Sequence, residues 1–304
     1  ASDRDDPTID SRFGRVGRQT CIDTGPLDPK RMETVDDEFE ARTISFMERA
    51  VKTGKPFFVW WNTTAMHFRT HCAKKHEGKS GQGPYNDVMV AHDENVGRML
   101  GKLDELGIAD NTIVVYAADN GLALGSHGLL GKQSAFEHSM RVPLIFAGPG
   151  VGKGRKCSQP AELLDIYPTL AALAGASTAK CKPLDGFDVW DTISQGKPSP
   201  RSEIIYNIEP FRAALRQGGW KLIWRTMLPS SVDLYDLSQD PFEQNNLAAN
   251  NPDQVVAMQR RLDAMAKEAA KPLFLVDQFK VVMKNMNGEP VLPTDEGFGD
   301  ADQP

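Results

Sequence analysis

Apolar residues recur along the chain at two spacings, and each spacing predicts one kind of secondary structure. Over residues 36–54 and 85–107 they follow helical spacing, which predicts two amphipathic helices. Three short, wholly apolar runs instead predict strands covered on both faces: residues 57–61, 113–116 and 142–146. A further helix is predicted over residues 163–173. Because strands alternate with helices, the pattern predicts an α/β fold with a mainly parallel sheet.

The pattern changes after about residue 185. Short runs with strand-like composition predict antiparallel strands near residues 204–206, 213–216, 220–224 and 234–237. Between two of them, Gln217-Gly218-Gly219 predicts a hairpin turn. We therefore expect a partial α/β domain over residues 1–185 and a smaller antiparallel-sheet subdomain over residues 186–304. The subdomain is predicted to end in a helix over residues 252–271 and an acidic tail, and the polar residues 1–34 are predicted to form a loop.

Composition and charge narrow the classes of function. The chain has 304 residues, with 35 Lys and Arg against 41 Asp and Glu, so its net charge is −6. Scattered basic residues in an acidic chain argue against nucleic-acid binding. No window approaches about 18 consecutive apolar residues, so no membrane span is predicted. The first residues lack both an initiator Met and the apolar core of a signal peptide, so we expect a chain that was processed or cut from a longer one.

Four cysteines are too few for a disulfide scaffold, and none has the C-x-x-C spacing of a zinc site: Cys21, Cys72, Cys157 and Cys181. Cys157 and Cys181 could form one bridge, and two buried thiols fit equally well. Cysteine usage therefore leaves the redox compartment open.

The candidate functional side chains lie just beyond the second predicted strand. Asp119 and Asn120 follow that strand, where parallel α/β sheets bind ligands, and their side chains are hard oxygen ligands of the kind that calcium and magnesium accept. An isolated Asp-Asn-Gly is more often a simple turn. Here, however, His127 and Lys132 follow within fourteen residues of Asp119, which favours a functional site. We assign His71, His92 and His138 to structural roles.

Several motifs follow one another in a fixed order: Lys55-Pro56-Phe57-Phe58-Val59 before Met66-His67-Phe68, Asp119-Asn120-Gly121, His127-Gly128-Leu129 with Gly131-Lys132, Arg141-Val142-Pro143-Leu144, Trp220-Lys221-Leu222, and Asp240-Pro241-Phe242-Glu243. In this order the chain resembles the sulfatases of the alkaline-phosphatase superfamily, in register over most of residues 36–271. The resemblance implies an alkaline-phosphatase-like α/β fold, with a mainly parallel sheet flanked by helices and a smaller C-terminal antiparallel sheet. It also implies the hydrolysis of sulfate esters.

The resemblance further implies a role for each matching residue. Asp119 and Asn120 are similar to one pair of the family's calcium ligands, with magnesium as an alternative. Lys132 is similar to the lysine that contacts the sulfate, and His67 to the histidine near the scissile oxygen, while His127 is a further candidate for substrate contact. These types suit the chemistry, because cations stabilise charge on the non-bridging oxygens and an imidazole protonates the departing alcohol.

The family's nucleophile is a formylglycine made from the motif C/S-x-P-x-R, and the sequence contains no such motif. The nearest segments, Cys181-Lys182-Pro183-Leu184-Asp185 and Ser158 to Glu162, have an acid in place of the arginine and lie after Asp119. The N-terminal aspartate pair of the calcium site is absent too. The resemblance therefore implies the C-terminal portion of a sulfatase, inactive alone, whose expected partners are its missing N-terminal part and a sulfated small molecule or carbohydrate.

Two other functions stay open. One is a non-catalytic sulfatase-like protein that binds sulfated or acidic ligands, which the missing nucleophile favours. The other is a phosphonate or phosphate monoester hydrolase, which shares the metal and loop chemistry. By resemblance, the expected location is periplasmic or secreted.

Overall fold

The computed structural model describes residues 2–10, 14–67, 70–132, 134–209, 212–225 and 231–268. Two compact units divide the chain, Ala1–Thr112 and Ile113–Pro304. The boundary predicted at residue 185 lies inside the second unit, and the predicted acidic tail lies outside the described residues. Among the described helices, none combines the length and apolar character that crossing a membrane requires.

The first unit opens with a hairpin in place of the predicted loop. Strands β1 (Ser2–Asp10) and β2 (Gly14–Cys21) pair antiparallel. Arg18 binds Asp3 at 2.8 Å and Arg15 binds Asp5 at 2.5 Å across the pair. The loop prediction was wrong because these strands have no apolar face; backbone pairing and cross-strand charges form the hairpin, and neither leaves an apolar period in the sequence.

Both long helices predicted in the first unit are confirmed. After the short α1 (Pro29–Met32) come α2 (Val35–Lys52) and α3 (Pro84–Glu105). The first turn of α2 contains three acidic residues, which suit the positive end of a helix dipole. Arg98 of α3 binds Glu40 of α2 at 2.7 Å and Asp37 at 2.8 Å, so charged groups join the two helices.

The strand predicted over residues 57–61 is not formed. This segment has no regular secondary structure, and the side chains of Phe58 and Trp60 are 71% and 81% exposed. Strand-forming composition needs a neighbouring strand to produce a ladder, and the described residues provide none here.

Strand direction in the second unit differs from the prediction. The second and third predicted strands form as β3 (Val114–Ala117) and β6 (Leu144–Ala147), but they pair antiparallel, with Val114 opposite Ala147. Between them lie a small hairpin of β4 (Ala123–Leu124) and β5 (Leu130–Gly131) and the one-turn α4 (Glu137–Met140). No described long helix crosses between the strands, as a parallel pair would need, so the mainly parallel sheet was a wrong expectation for the described strands.

A pair of salt bridges to Arg201 follows these strands in the chain. The predicted helix over residues 163–173 forms as one 3-10 turn, Leu163–Asp165, and α5 (Ile166–Leu173), and α6 (Trp190–Gln195) comes next. Arg201 binds Asp165 at 2.6 Å and Glu162 at 3.0 Å, with all three side chains largely buried. Cys157 and Cys181 are free and exposed, so neither the bridge nor the pair of buried thiols is observed.

The predicted antiparallel sheet is confirmed. Its strands are β7 (Glu203–Glu209), β8 (Arg212–Gln217), β9 (Trp220–Arg225) and β10 (Ser231–Asp236), in the order β10-β9-β8-β7. Helix α7 (Pro252–Glu268) packs Met258 and Leu262 on one face of the sheet, against Leu215, Leu222 and Leu234.

The opposite face of the sheet positions the candidate site. Neighbouring residues in a strand point to opposite faces, so Ala214, Ile223 and Tyr235 turn away from α7. Phe136 packs on them and is itself buried. The segment that leads into α4 is therefore held against the sheet.

Candidate functional site

The turn after β3 brings two predicted site residues together. The backbone N–H of Asn120 donates to Asp119 Oδ1 at 2.9 Å, and Asn120 Nδ2 donates to the Gly121 carbonyl at 2.8 Å. These bonds leave the amide oxygen of Asn120 facing Lys132, whose Nζ donates to it at 2.9 Å. The predicted sulfate-contacting lysine therefore lies beside a predicted metal ligand.

A glycine allows this turn to pack against the segment before β6. The Gly121 N–H donates to the Ser139 carbonyl at 2.9 Å. A Cβ on Gly121 would lie 2.2 Å from the His138 carbonyl oxygen, which is closer than any real contact, so the approach requires glycine.

Two histidines lie on the neighbouring loop and on α4. His127, in the left-handed conformation (φ 55°), stacks on Phe136 with ring centroids 4.1 Å apart. Its ring centroid is 5.4 Å from that of His138. Ser134 Oγ lies 3.2 Å from His138 Nε2. Burial lowers the pKa of His138, and His127 and Lys221 lower it further, which favours the neutral imidazole.

A buried ionic cluster lies under these histidines. Lys221 of β9 is fully buried, and its Nζ lies 2.6 Å from Glu137 Oε1 and 3.0 Å from Glu243 Oε1. Tyr206 donates its hydroxyl to the same Glu137 oxygen at 2.6 Å. Burial raises the pKa of Glu137, but Lys221 and the Tyr206 hydroxyl lower it by more, so its net shift is downward. For Glu243 burial dominates and raises the pKa.

The described residues do not form a calcium site by themselves. Calcium takes roughly six to eight oxygen ligands. Asp119 and Asn120 are donors of the right type, but the Asn120 amide oxygen already accepts from the Lys132 ammonium. In the described ranges, no group of three or more His, Cys, Asp or Glu side chains is placed to hold a metal ion.

His67 lies in the first unit, whereas Asp119, Asn120, His127 and Lys132 lie in the second. Its loop is fixed by Asp36 at the start of α2, whose carboxylate accepts the N–H groups of Thr64 and Ala65 at 2.7 and 3.0 Å. The His67 N–H donates to the Thr64 carbonyl at 3.1 Å, and the residue is exposed.

Sequence reasoning missed the buried cluster of Lys221, Glu137 and Glu243. One signal was available, because Lys221 interrupts the apolar run Trp220–Trp224, where a lysine needs a buried counter-charge. The identity of that counter-charge was not available, since Glu137 and Glu243 are distant in sequence and neither matches a ligand motif by itself.

Family models match both ends of the described chain. The model described as Sulfatase matches residues 5–176, and the model described as N-sulphoglucosamine sulphohydrolase, C-terminal, matches residues 125–269. N-acetylgalactosamine-6-sulfatase of Sus scrofa is 34% identical over 181 residues, which are 56% of this chain and 35% of the relative. Arylsulfatase A of Homo sapiens is 31% identical over 245 residues, which are 68% of this chain and 48% of the relative. The chain spans about a third to a half of these curated relatives.

Solved structures agree on the fold. The PsFucS1 sulfatase from Pseudoalteromonas sp. is 22% identical with a TM-score of 0.70, covering 85% of this chain and 58% of that one. The phosphonate monoester hydrolase of Agrobacterium radiobacter is 20% identical with a TM-score of 0.54, covering 80% of this chain and 51% of that one. These structures confirm the predicted alkaline-phosphatase-like α/β class. With a family model matching more than half of its length, the chain belongs to the sulfatase family of the alkaline-phosphatase superfamily.

Proposed function

We propose that this chain supplies the sulfate-binding and leaving-group side of a sulfate-ester hydrolase. The observation that supports the proposal best is the position of Lys132, whose ammonium is held by the neutral Asn120 amide in a chain of the sulfatase family. Because the chain spans only part of its relatives, activity is assigned to the larger enzyme and binding to this chain.

A comparison of Lys132 with Lys221, both in the second unit, supports this assignment. Lys221 is buried and paired with two carboxylates, so its charge is fully used inside the fold. Lys132 is exposed, and its hydrogen-bond partner Asn120 carries no charge. An oriented ammonium that no carboxylate of the described residues pairs with attracts an anion, and a sulfate ester presents its negative charge on the non-bridging oxygens.

We assign the proton chemistry to imidazoles. His67 would protonate the departing alcohol or phenol, since a histidine exchanges protons near neutral pH. His127 would contact the substrate from the loop between β4 and β5. Asp119 and Asn120 would be two of the ligands of a calcium site, or a magnesium site, that needs further oxygen ligands.

The nucleophile has to come from outside these residues. The sequence has no C/S-x-P-x-R motif for formylglycine, so we expect the 304-residue chain alone to bind a sulfate ester without hydrolysing it. The substrate would be a sulfated small molecule, such as an aryl sulfate, or a sulfated carbohydrate. A periplasmic or secreted location fits such substrates.

Calorimetric titration of the 304-residue chain with phenyl sulfate, and separately with phenyl phosphate and phenylphosphonate, tests the proposal. We expect phenyl sulfate to bind more tightly than either phosphorus compound. Tighter binding of phenyl phosphate or phenylphosphonate would favour the alternative of a phosphoryl-type hydrolase. A chain that binds none of the three would contradict the proposal.

A further inference from the structure

The imidazole of His127 is held on its face and on its edge. Its face stacks on Phe136 with an interplanar angle of 6°. Its edge meets the main chain after β10, where Nε2 lies 3.1 Å from the Phe242 carbonyl oxygen. His127 lies on an exposed loop, so these two contacts, beside the His138 ring 5.4 Å away, set the direction of its ring.

The two residues that contact His127 are linked through the buried carboxylate of Glu243. Phe136 and Phe242 are the chain neighbours of Glu137 and Glu243. Glu243 Oε2 accepts the backbone N–H of Glu137 at 2.5 Å, and its Oε1 binds Lys221 at 3.0 Å. The side chain of Glu243 is 1% exposed, so it has no water to replace a lost partner. One side chain therefore fixes the distance between the two residues that hold His127.

The backbone at Glu243 supports the same role. Its φ is 56°, a left-handed conformation that costs free energy in a residue other than glycine. Glu243 keeps this conformation while its buried carboxylate contacts the Glu137 N–H and Lys221. Glu243 directly follows Phe242 in the chain, and the carbonyl of Phe242 faces His127.

The bond to Phe242 fixes the tautomer of His127. A carbonyl oxygen only accepts, so Nε2 must carry the proton. In the neutral ring Nδ1 is then the unprotonated nitrogen, and no residue in the described ranges hydrogen-bonds to it. Nδ1 is left to accept from, or exchange a proton with, a bound molecule.

We propose that Glu243 is a positioning residue that holds His127 as the Nε2-protonated tautomer and presents Nδ1 to the substrate. The substrate part of this inference rests on the proposed function. The positioning part rests only on the contacts of His127, Phe136, Phe242 and the buried cluster.

Histidine NMR of the 304-residue chain tests the positioning. With ¹⁵N-labelled histidine, six side chains contribute, and the His127 signal is assigned by its absence in His127→Asn. Glu243→Gln keeps the size of the side chain but has only one accepting oxygen, so it cannot serve both the Glu137 N–H and Lys221. The matched control is Glu162→Gln, which removes another buried carboxylate, paired with Arg201 at 3.0 Å.

We expect a single Nε2-protonated form in the wild type and in Glu162→Gln, and a mixture of both tautomers in Glu243→Gln. A wild-type ring protonated on Nδ1 would overturn the proposal, and this measurement needs no variant to fold. An unchanged tautomer in folded Glu243→Gln would overturn it as well.

Adding phenyl sulfate to the same samples separates this inference from the proposed function. If phenyl sulfate binds while Glu243→Gln leaves the His127 tautomer unchanged, the positioning fails and the function stands. If the tautomers behave as expected but phenyl sulfate shifts no signal in the chain, the proposed function fails and the positioning stands.

Discussion

The Lys132 ammonium donates a hydrogen bond to the Asn120 amide oxygen at 2.9 Å, which joins two short segments on either side of the β4–β5 hairpin. The bond aims the lysine without neutralising it. This distinguishes Lys132 from Lys221, whose charge is balanced inside the fold by Glu137 and Glu243.

Replacing Asn120 is therefore expected to affect binding more than folding. Asn120→Ala removes the acceptor that orients Lys132, and we expect the dissociation constant for phenyl sulfate to rise about fivefold, or about 1 kcal/mol. The melting temperature should change little, because the hydrogen bond between Lys132 and Asn120 is exposed. Calorimetry and thermal unfolding measure the two effects. An unchanged dissociation constant would mean that the bond to Asn120 does not orient the ammonium.

Gly121→Ala is expected to destabilise the second unit. The added methyl would lie 2.2 Å from the His138 carbonyl oxygen and 3.0 Å from its carbon, and backbone atoms cannot move aside cheaply. We expect a loss of about 1–3 kcal/mol in the free energy of unfolding, measured by urea denaturation. Gly101→Ala in α3 is the control, because its methyl meets nothing within 4 Å and should be neutral or stabilising. Equal stability of the two variants would show that the close approach at Gly121 is not maintained.

The first unit should lose stability in acid through Glu94. Hydrogen bonds from Lys79 and His76 lower the pKa of this carboxyl from its ordinary 4.5 to about 2. A lowered pKa contributes stability that is present above about pH 4.5 and is lost as the pH falls through about 2. The melting-temperature advantage of wild type over Glu94→Gln should thus be larger at pH 7 than at pH 2. A difference that is the same at both values would refute the coupling, and high salt should reduce it.

The cysteines should differ in reactivity with a maleimide at neutral pH. Cys157 and Cys181 are exposed and free, so we expect both to be labelled rapidly without reductant. Cys72 is partly buried, and burial followed by nearby acids such as Asp87 raises its pKa, so less thiolate is present and labelling should be slow. Peptide mapping assigns the labels. Protection of both Cys157 and Cys181 until a reductant is added would reveal a bridge.

The sequence predicts an element well where the element's own side chains decide its structure. Helices α2 and α3 have a complete apolar stripe and acidic or proline residues in the first turn, so both could be located to within a few residues. The antiparallel sheet was found for a similar reason, since its hairpin turn at Gly218 is local. The strand prediction for residues 57–61 was wrong because a strand needs a neighbouring strand, which a sequence pattern does not provide.

In the candidate site too, residues close in sequence could be predicted and residues joined only by tertiary packing could not. Asp119, Asn120 and Lys132 lie within one short segment, so spacing and family resemblance were enough to select them. The buried cluster around Lys221 joins that lysine to a residue 84 positions away, and Glu243 to one 106 positions away. Such pairs are created by tertiary packing, and a single sequence contains no signal for their partners.

The claim that Lys132 binds the sulfate group is central, and titration of Lys132→Ala with phenyl sulfate tests it most directly. The control is Lys153→Ala, which removes the same charge from another exposed lysine of the second unit. We expect Lys132→Ala to raise the dissociation constant at least about tenfold, or about 1.4 kcal/mol, and Lys153→Ala to leave it unchanged. Wild-type binding by Lys132→Ala, or an equal loss in both variants, would contradict the assignment.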